Sequence, residues 1–296
     1  MFSALGVGFM RLLARLPLTW VRGLGTALGW VLYRGVPARR RVVQVNLAMC
    51  WPHSPQVELE RMTKQCFVFF AQAWLDRSWL WHAPADVVQQ RLHWLGDLGA
   101  LKQPEGVVVF APHFVGLDAG WTALSLATHR PLNTIYTPQS NVGVDAWIAK
   151  GRQRFGTVNL SKRSDGAQAL ISALRRGELL YLLPDMDSGE DDTVFVPFFD
   201  VPAATLTSLS RFAKLGRAQV VPITTRLTPQ GYEVQVHPGW SDVPSGDVLA
   251  DTALMNQRLA DWVRTMPAQY FWVHKRFKTR PPGAADVYAR PKKPLM

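Results

Sequence analysis

The runs that most restrict how this chain can fold are short, almost wholly apolar segments of β type. "VVVF" (Val107–Phe110) and "LLYLL" (Leu179–Leu183) have no polar face, so each needs cover on both sides. That demand is met by strands inside a parallel sheet layered with helices. Leu132–Tyr136, Val220–Thr225 and Glu233–Val236 read as further strands. Helical patterning falls between them, near 115–128, 141–155, 164–176, 203–215 and 250–266. Ser164 can cap the third of these helices and Gly177 can close it, while Gly216 can close the fourth. The alternation predicts an α/β core over 91–296, a mostly parallel central sheet flanked by helices. Upstream, Ser54-Pro55 has the form of a helix start. Leu59, Met62, Cys66, Phe69 and Ala73 then recur at helical spacing, which predicts a helix to about Trp81 within a helical stretch, 36–90.

The first 35 residues are a separate problem. They are apolar but broken by Arg11, Arg15, Arg22 and Arg34, and the longest uncharged stretch in the first 33 residues, Gly23–Tyr33, is too short to cross a bilayer. No small-residue cleavage site follows a clean apolar core, so a removed signal peptide is not expected. Membrane-associated interfacial helices fit this pattern, with arginines reaching the headgroups. A true span that tolerates Arg22 and a buried N-terminal helix are the alternatives. Domain boundaries follow: 1–35 as an N-terminal membrane anchor, and 36–296 as the main domain.

Charge supports a surface of opposite sign as partner. The net charge is +11, and it is concentrated at the two ends. Residues 1–57 carry seven arginines and no acid, and residues 264–296 carry eight basic side chains against Asp286 alone. Basic ends on a near-neutral body suit anionic lipid or an acidic substrate. The chain lacks zinc-ligand spacing and any aromatic-rich basic strand motif, so no nucleic acid partner is expected. The 12 tryptophans suit either a membrane interface or a core. Cys50 and Cys66 are too few for a disulfide framework, and a reducing, cytoplasmic setting is the default.

The candidate chemistry follows the apolar strand "VVVF". "APH" is the expected turn at its carboxyl end, where open α/β sheets place their sites. Asp118 then falls in the first turn of the next helix, where the helix dipole favours a carboxylate. His113 can fold back on Asp118, which would fix one ring nitrogen as N–H and leave the other basic. Such a pair can deprotonate a hydroxyl that attacks an acyl group. No serine or cysteine elbow completes a hydrolase triad. The plain alternative is a core histidine satisfied by a helix-capping aspartate.

His-x-x-x-x-Asp after a buried strand resembles the signature of the glycerolipid acyltransferase superfamily. Three blocks in order extend the likeness: "GRQRFG" with Arg152 and Arg154, "LLPDMDSG", and "VVPI" at Val220–Ile223. "RRRVVQVNLAMCWPHSP", "VPFFDVPAATLTSLSRFAK" and "QYFWVHKRFKTRP" resemble one branch more closely, the late acyltransferases of lipid A biosynthesis of lauroyl/myristoyl type. The likeness covers nearly the whole chain. Two positions depart from that branch: Asp118 stands where it more often has Glu, and Asp200 stands where Gly is usual.

The resemblance implies transfer of a fatty acyl chain from acyl carrier protein to a hydroxyl of a lipid A precursor, at the cytoplasmic face of the inner membrane and in contact with membrane lipids. Acyl carrier protein and the precursor are the implied partners, and the donor thioester is a substrate, so no cofactor and no metal are expected. His113 would be general base and Asp118 its orienter. Arg154 is the first choice to stabilise developing oxyanion charge and Arg152 the second, against solvated charge at a helix end for both. Asp185 and Asp187 are read as loop-shaping carboxylates or partners of Arg154, with direct substrate contact as the other option. The helix expected to begin near Ala204-Thr205 can receive a phosphate at its N-terminus. The tail "HKRFKTRP", with Lys275 and Arg276, can contact an acidic substrate or simply be solvated. Two rival functions are an acyltransferase for another membrane glycolipid or amino-acid lipid, and a non-catalytic basic membrane-surface protein.

Overall fold

Burial on both faces of β-type segments dictates the architecture. The computed structural model describes residues 2–189 and 191–289. Five helices come first: α1 (Phe2–Leu13), α2 (Leu18–Gly35), α3 (Pro37–Cys50), the long α4 (Gln56–His82) and the short α5 (Ala85–Gln90). Strand β1 (Leu92–Leu95), helix α6 (Gly99–Lys102) and strand β2 (Val107–Phe110) follow. The α/β alternation continues through α7 (Leu117–Ala127), β3 (Leu132–Tyr136), α8 (Val142–Arg152), β4 (Val158–Lys162), α9 (Gln168–Arg175) and β5 (Leu179–Leu182). A hairpin of β6 (Thr193–Phe198) and β7 (Val201–Leu206) precedes α10 (Ser208–Gly216). The long β8 (Gln219–Thr228), β9 (Gly231–Val236) and α11 (Val248–Thr265) complete the regular elements.

Seven strands form one sheet in the order β1-β9-β8-β2-β5-β3-β4. Every neighbouring pair is parallel except β8 with β9. The two runs that predicted this sheet, β2 and β5, lie side by side in it with every residue buried. The mostly parallel α/β expectation therefore holds. The edge strands β1 and β4 and the β6–β7 hairpin were not expected; β1 has only Leu92 buried, β4 has no buried residue, and both lack the apolar runs of the centre.

Two helix starts lie several residues from where the sequence placed them, and both have a local cause. Ala204 and Thr205 belong to β7, antiparallel to β6, and α10 begins only at Ser208. The helix N-terminus expected at Ala204-Thr205 is thus replaced by strand. Ser164 caps nothing: it sits in a short 3-10 turn, and α9 starts after Ala167. Gly177 closes α9 with φ of 85°, a left-handed backbone open to glycine at little cost. Asp200 has φ of 62° in the β6–β7 turn, which accounts physically for the glycine usual there.

The N-terminal helices are built into the main body. α2 lies along α4 so closely that a Cβ on Gly29 would stand 2.6 Å from the Val68 Cα, and one on Gly25 2.8 Å from the Gln72 Cα. Arg22 is buried in this seam, 3.0 Å from Asp76, and donates to the Gly231 carbonyl at 3.1 Å. Asp76 also accepts from Tyr232 (2.7 Å) and from the Trp79 indole (2.9 Å). The outer side of α1 and α2 stays apolar and open: Leu5 is 69%, Trp20 67% and Val31 65% exposed. Among the described residues no helix is long and apolar enough to cross a membrane.

Removing the Asp76 carboxylate leaves Arg22 buried without its charge partner. Asp76→Ala is expected to destabilise the fold by about 3–5 kcal/mol, measured as a lower midpoint of urea unfolding against wild type.

Candidate active site

At the carboxyl end of β2 the chain turns through Pro112-His113 and enters α7. The turn is clipped from the far side by the segment after α11. The Val115 N–H donates to the Gln269 carbonyl at 2.8 Å, and the Phe271 N–H donates to the His113 carbonyl at 2.9 Å. His113 is thus held at the mouth of a cleft of about 820 Å³, a volume usual for ligand pockets.

The imidazole is oriented by a carboxylate other than the one expected. His113 Nδ1 lies 2.8 Å from Asp185 Oδ1, and the His113 backbone N–H donates to Asp185 Oδ2 at 3.0 Å. Tyr270 adds a third donor, its hydroxyl 2.9 Å from Asp185 Oδ2. An ionised carboxylate only accepts, so Nδ1 carries the proton and Nε2 is the basic nitrogen. Burial opposes charge on Asp185, but His113 and these hydrogen bonds outweigh it and hold the carboxyl below its ordinary range.

The expected His113–Asp118 pairing is not formed, because both Asp118 oxygens are committed elsewhere. Arg77 Nε donates to Oδ2 at 2.7 Å and Arg152 Nε to Oδ1 at 2.9 Å. Burial opposes ionisation of Asp118, but Arg152 and Arg77 together bring its pKa down to about 2. Asp118 does stand in the first turn of α7, as its position predicted. Arg152 lines the cleft and uses only its Nε on Asp118, leaving its terminal amino groups without an acceptor among the described residues. Arg154, the first choice from sequence, is turned away: it donates to the carbonyls of Leu80 (3.0 Å) and Ala83 and does not line the cleft.

The remaining candidates are structural or lie outside the cleft. Asp187 accepts from the Thr279 N–H (2.6 Å), the Thr279 hydroxyl (2.9 Å) and the Gly189 N–H (3.1 Å), a loop-shaping role. Neither Asp185 nor Asp187 pairs with Arg154. Arg276 is 1% exposed and donates to the Ala204 carbonyl and the Thr205 hydroxyl, both at 2.9 Å. Lys275 sits over the Tyr288 ring. Arg290, Lys292 and Lys293 of the basic tail lie outside the described residues. Among the described residues no group of His, Cys, Asp and Glu could hold a metal ion.

The cleft walls suit a hydrocarbon chain. Ile171, Leu182, Met186 and Phe212 line it with Trp121 and Phe271, while the exposed Lys162 and Arg163 stand at its edge. Sequence reasoning missed Arg77 and Tyr270. A charged pair, Asp76-Arg77, set among the apolar residues of "WLDRSWLW" was the available signal for the first; nothing local marks the second.

Residues 1–279 match the family described as bacterial lipid A biosynthesis acyltransferase. The chain is 30% identical to the lipid A biosynthesis lauroyltransferase of Escherichia coli strain K12, over 96% of this chain and 94% of that one. It is 31% identical to a lipid A biosynthesis acyltransferase of Haemophilus influenzae, over 96% and 89%. A myristoyltransferase of the same pathway from Escherichia coli strain K12 is 31% identical over 86% and 80%.

Two outcomes follow from the two carboxylates. In nitrogen-resolved NMR of labelled histidine, His113 is expected as the Nδ1–H tautomer, and Asp185→Ala should abolish that preference while Asp118→Ala leaves it. The Asp118 pKa is depressed, so its stabilisation is present above the ordinary carboxylate value of about 3.9 and fades as pH falls towards about 2. Urea unfolding should therefore find Asp118→Asn much less stable than wild type at neutral pH, the gap closing in acid.

Proposed function

The chain belongs to the bacterial lipid A biosynthesis acyltransferase family, and on that premise we propose that it moves a fatty acyl chain from an acyl carrier protein thioester to a hydroxyl of a lipid A precursor. Acyl transfer in lipid A biosynthesis follows from the family.

The observation that carries the mechanism is His113, with Nδ1 on a buried carboxylate and its ring at an apolar cleft. Nε2 takes the proton of the acceptor hydroxyl as its oxygen attacks the thioester carbonyl. Asp185 keeps the ring in the required tautomer and stabilises the imidazolium. The terminal amino groups of Arg152, which lines the same cleft as His113, are donors free to meet the carbonyl oxygen as it becomes negative. Collapse forms the ester and breaks the carbon–sulfur bond, and the imidazolium returns its proton to the leaving thiolate. Asp118 touches neither proton; it positions Arg152.

Several features support the substrate classes. The apolar cleft wall matches an acyl chain, and Lys162 and Arg163 at the rim match an acidic carrier. The exposed apolar face of α1 and α2, with arginines beside it, supports lodging in the surface of the inner membrane at its cytoplasmic face, where a lipid acceptor resides.

Purified protein with acyl carrier protein thioesters and the lipid A precursor is expected to yield an acylated precursor, identified by mass. His113→Ala should abolish transfer, and Asp185→Ala should lower it by about 10²–10⁴. Near-normal turnover of His113→Ala would reject the histidine as base.

A further inference from the structure

A second cavity of about 740 Å³ lies under the N-terminal helices and shares no lining residue with the cleft. Its charged and titratable lining is Arg11 and Arg15 from α1 and the turn after it, His82 at the end of α4, and Arg91 just beyond α5. No carboxylate lines it. Arg11 and Arg15 are exposed and Arg91 is half-buried, and no side chain of the three donates a hydrogen bond to an oxygen among the described residues. Arg91 is half-buried over the Trp79 ring, with Nη1 buried and unbonded. No acceptor among the described residues takes a hydrogen bond from the Arg11 or Arg15 side chain.

His82 adds a directed donor. The Trp147 indole can only donate, and it lies 2.9 Å from His82 Nε2. The proton of the neutral ring is therefore on Nδ1, which has no acceptor among the described residues. Lys150 and Arg154 add positive charge nearby: with burial first and Arg11 next, they push the His82 pKa down. Asp76 acts on Arg91 from outside the lining, but three guanidiniums and one N–H donor around a cavity lined by no carboxylate make a site for a multiply charged oxyanion, and phosphate fits that chemistry.

Its surroundings select the source of the phosphate. The same short stretch that supplies Arg11 and Arg15 exposes Phe9 (52%), Leu12 (57%) and Trp20 (67%). A soluble phosphate has no use for those side chains, whereas a lipid places its phosphate beside acyl chains. We propose that this pocket holds the phosphate of an anionic membrane lipid headgroup, so that the enzyme reads the charge of its bilayer at a site separate from the acyl-transfer cleft. The proposal rests on the reading that α1 and α2 lie in a membrane surface.

Flotation of the full chain with phosphatidylcholine vesicles, with and without phosphatidate, tests it. Wild type is expected to bind both and to prefer those with phosphatidate. Arg15→Gln/Arg91→Gln should keep binding to neutral vesicles and lose about tenfold or more of the preference, at about 1 kcal/mol per arginine. Arg34→Gln/Arg39→Gln removes the same charge outside the pocket and should keep most of it. Equal loss in both double variants would show diffuse charge and overturn the pocket. Binding to neutral vesicles with no phosphatidate preference would overturn the pocket alone, while binding to neither vesicle would overturn the membrane reading with it. Stabilisation by inorganic phosphate that needs Arg15 and Arg91, without a phosphatidate preference, would assign the site to a soluble ion and overturn the headgroup. Should the double variant unfold, Arg15→Gln alone, with an exposed side chain, carries the same comparison.

Discussion

Three helices meet at one carboxylate. Asp118 on α7 holds Arg77 of α4 with one oxygen and Arg152 of α8 with the other, and the position of the cleft wall depends on that clamp. The three groups are largely shielded from water, where an unpaired charge is costly. Each arginine therefore depends on Asp118 being ionised, and Asp118 depends on both arginines to remain so. The clamp fixes a cation at the edge of an apolar cleft, where charge on a substrate oxygen would gain most from it.

That commitment determines what His113 can do. With both Asp118 oxygens occupied, the imidazole takes its partner from a different strand end: Asp185 follows β5, the direct neighbour of β2 in the sheet. Parallel neighbours deliver their carboxyl ends to the same edge, so a residue 72 positions away arrives within hydrogen-bond reach. Tyr270 closes the arrangement from the segment that also clips the His113 turn. Histidine, carboxylate and tyrosine are set by backbone contacts rather than by side-chain packing alone, and this favours the preorganisation that proton transfer requires.

The centre of the sheet was legible because two-sided burial leaves a mark in composition: β2 and β5 could hardly be read otherwise. The long helix α4 and the placement of Asp118 were legible from periodicity and spacing. The partner of His113 was not. A five-residue spacing suggests a local pair, but the turn of the helix carries Asp118 towards α4 and α8, and the pairing that forms is long-range. Asp185 was marked by its loop, but its partner is His113 and not Arg154. Arg152 and Arg154 could not be ranked from sequence, since two residues apart on a helix end they point in different directions; the cleft receives the first, and the second ties down the end of α4. The β6–β7 hairpin was hidden because "VPAATL" carries helix formers and a proline that only strand pairing overrides.

The arginines of the first helices divide by the same logic of partners. Arg22 has a buried carboxylate and a carbonyl, and it fastens α2 to α4 and to the first residue of β9. Gly25 and Gly29 let the backbones approach closely enough for that bond to form. Arg11 and Arg15 come earlier, in α1 and the turn after it, with no such acceptor among the described residues, around a cavity lined by no acid. A residue type spread evenly through an apolar segment thus has two jobs that sequence cannot separate. One arginine is spent inside, making the N-terminal helices a rigid part of the enzyme. The others are left outside with unmet hydrogen-bonding capacity beside an apolar surface, the combination that an anionic bilayer satisfies.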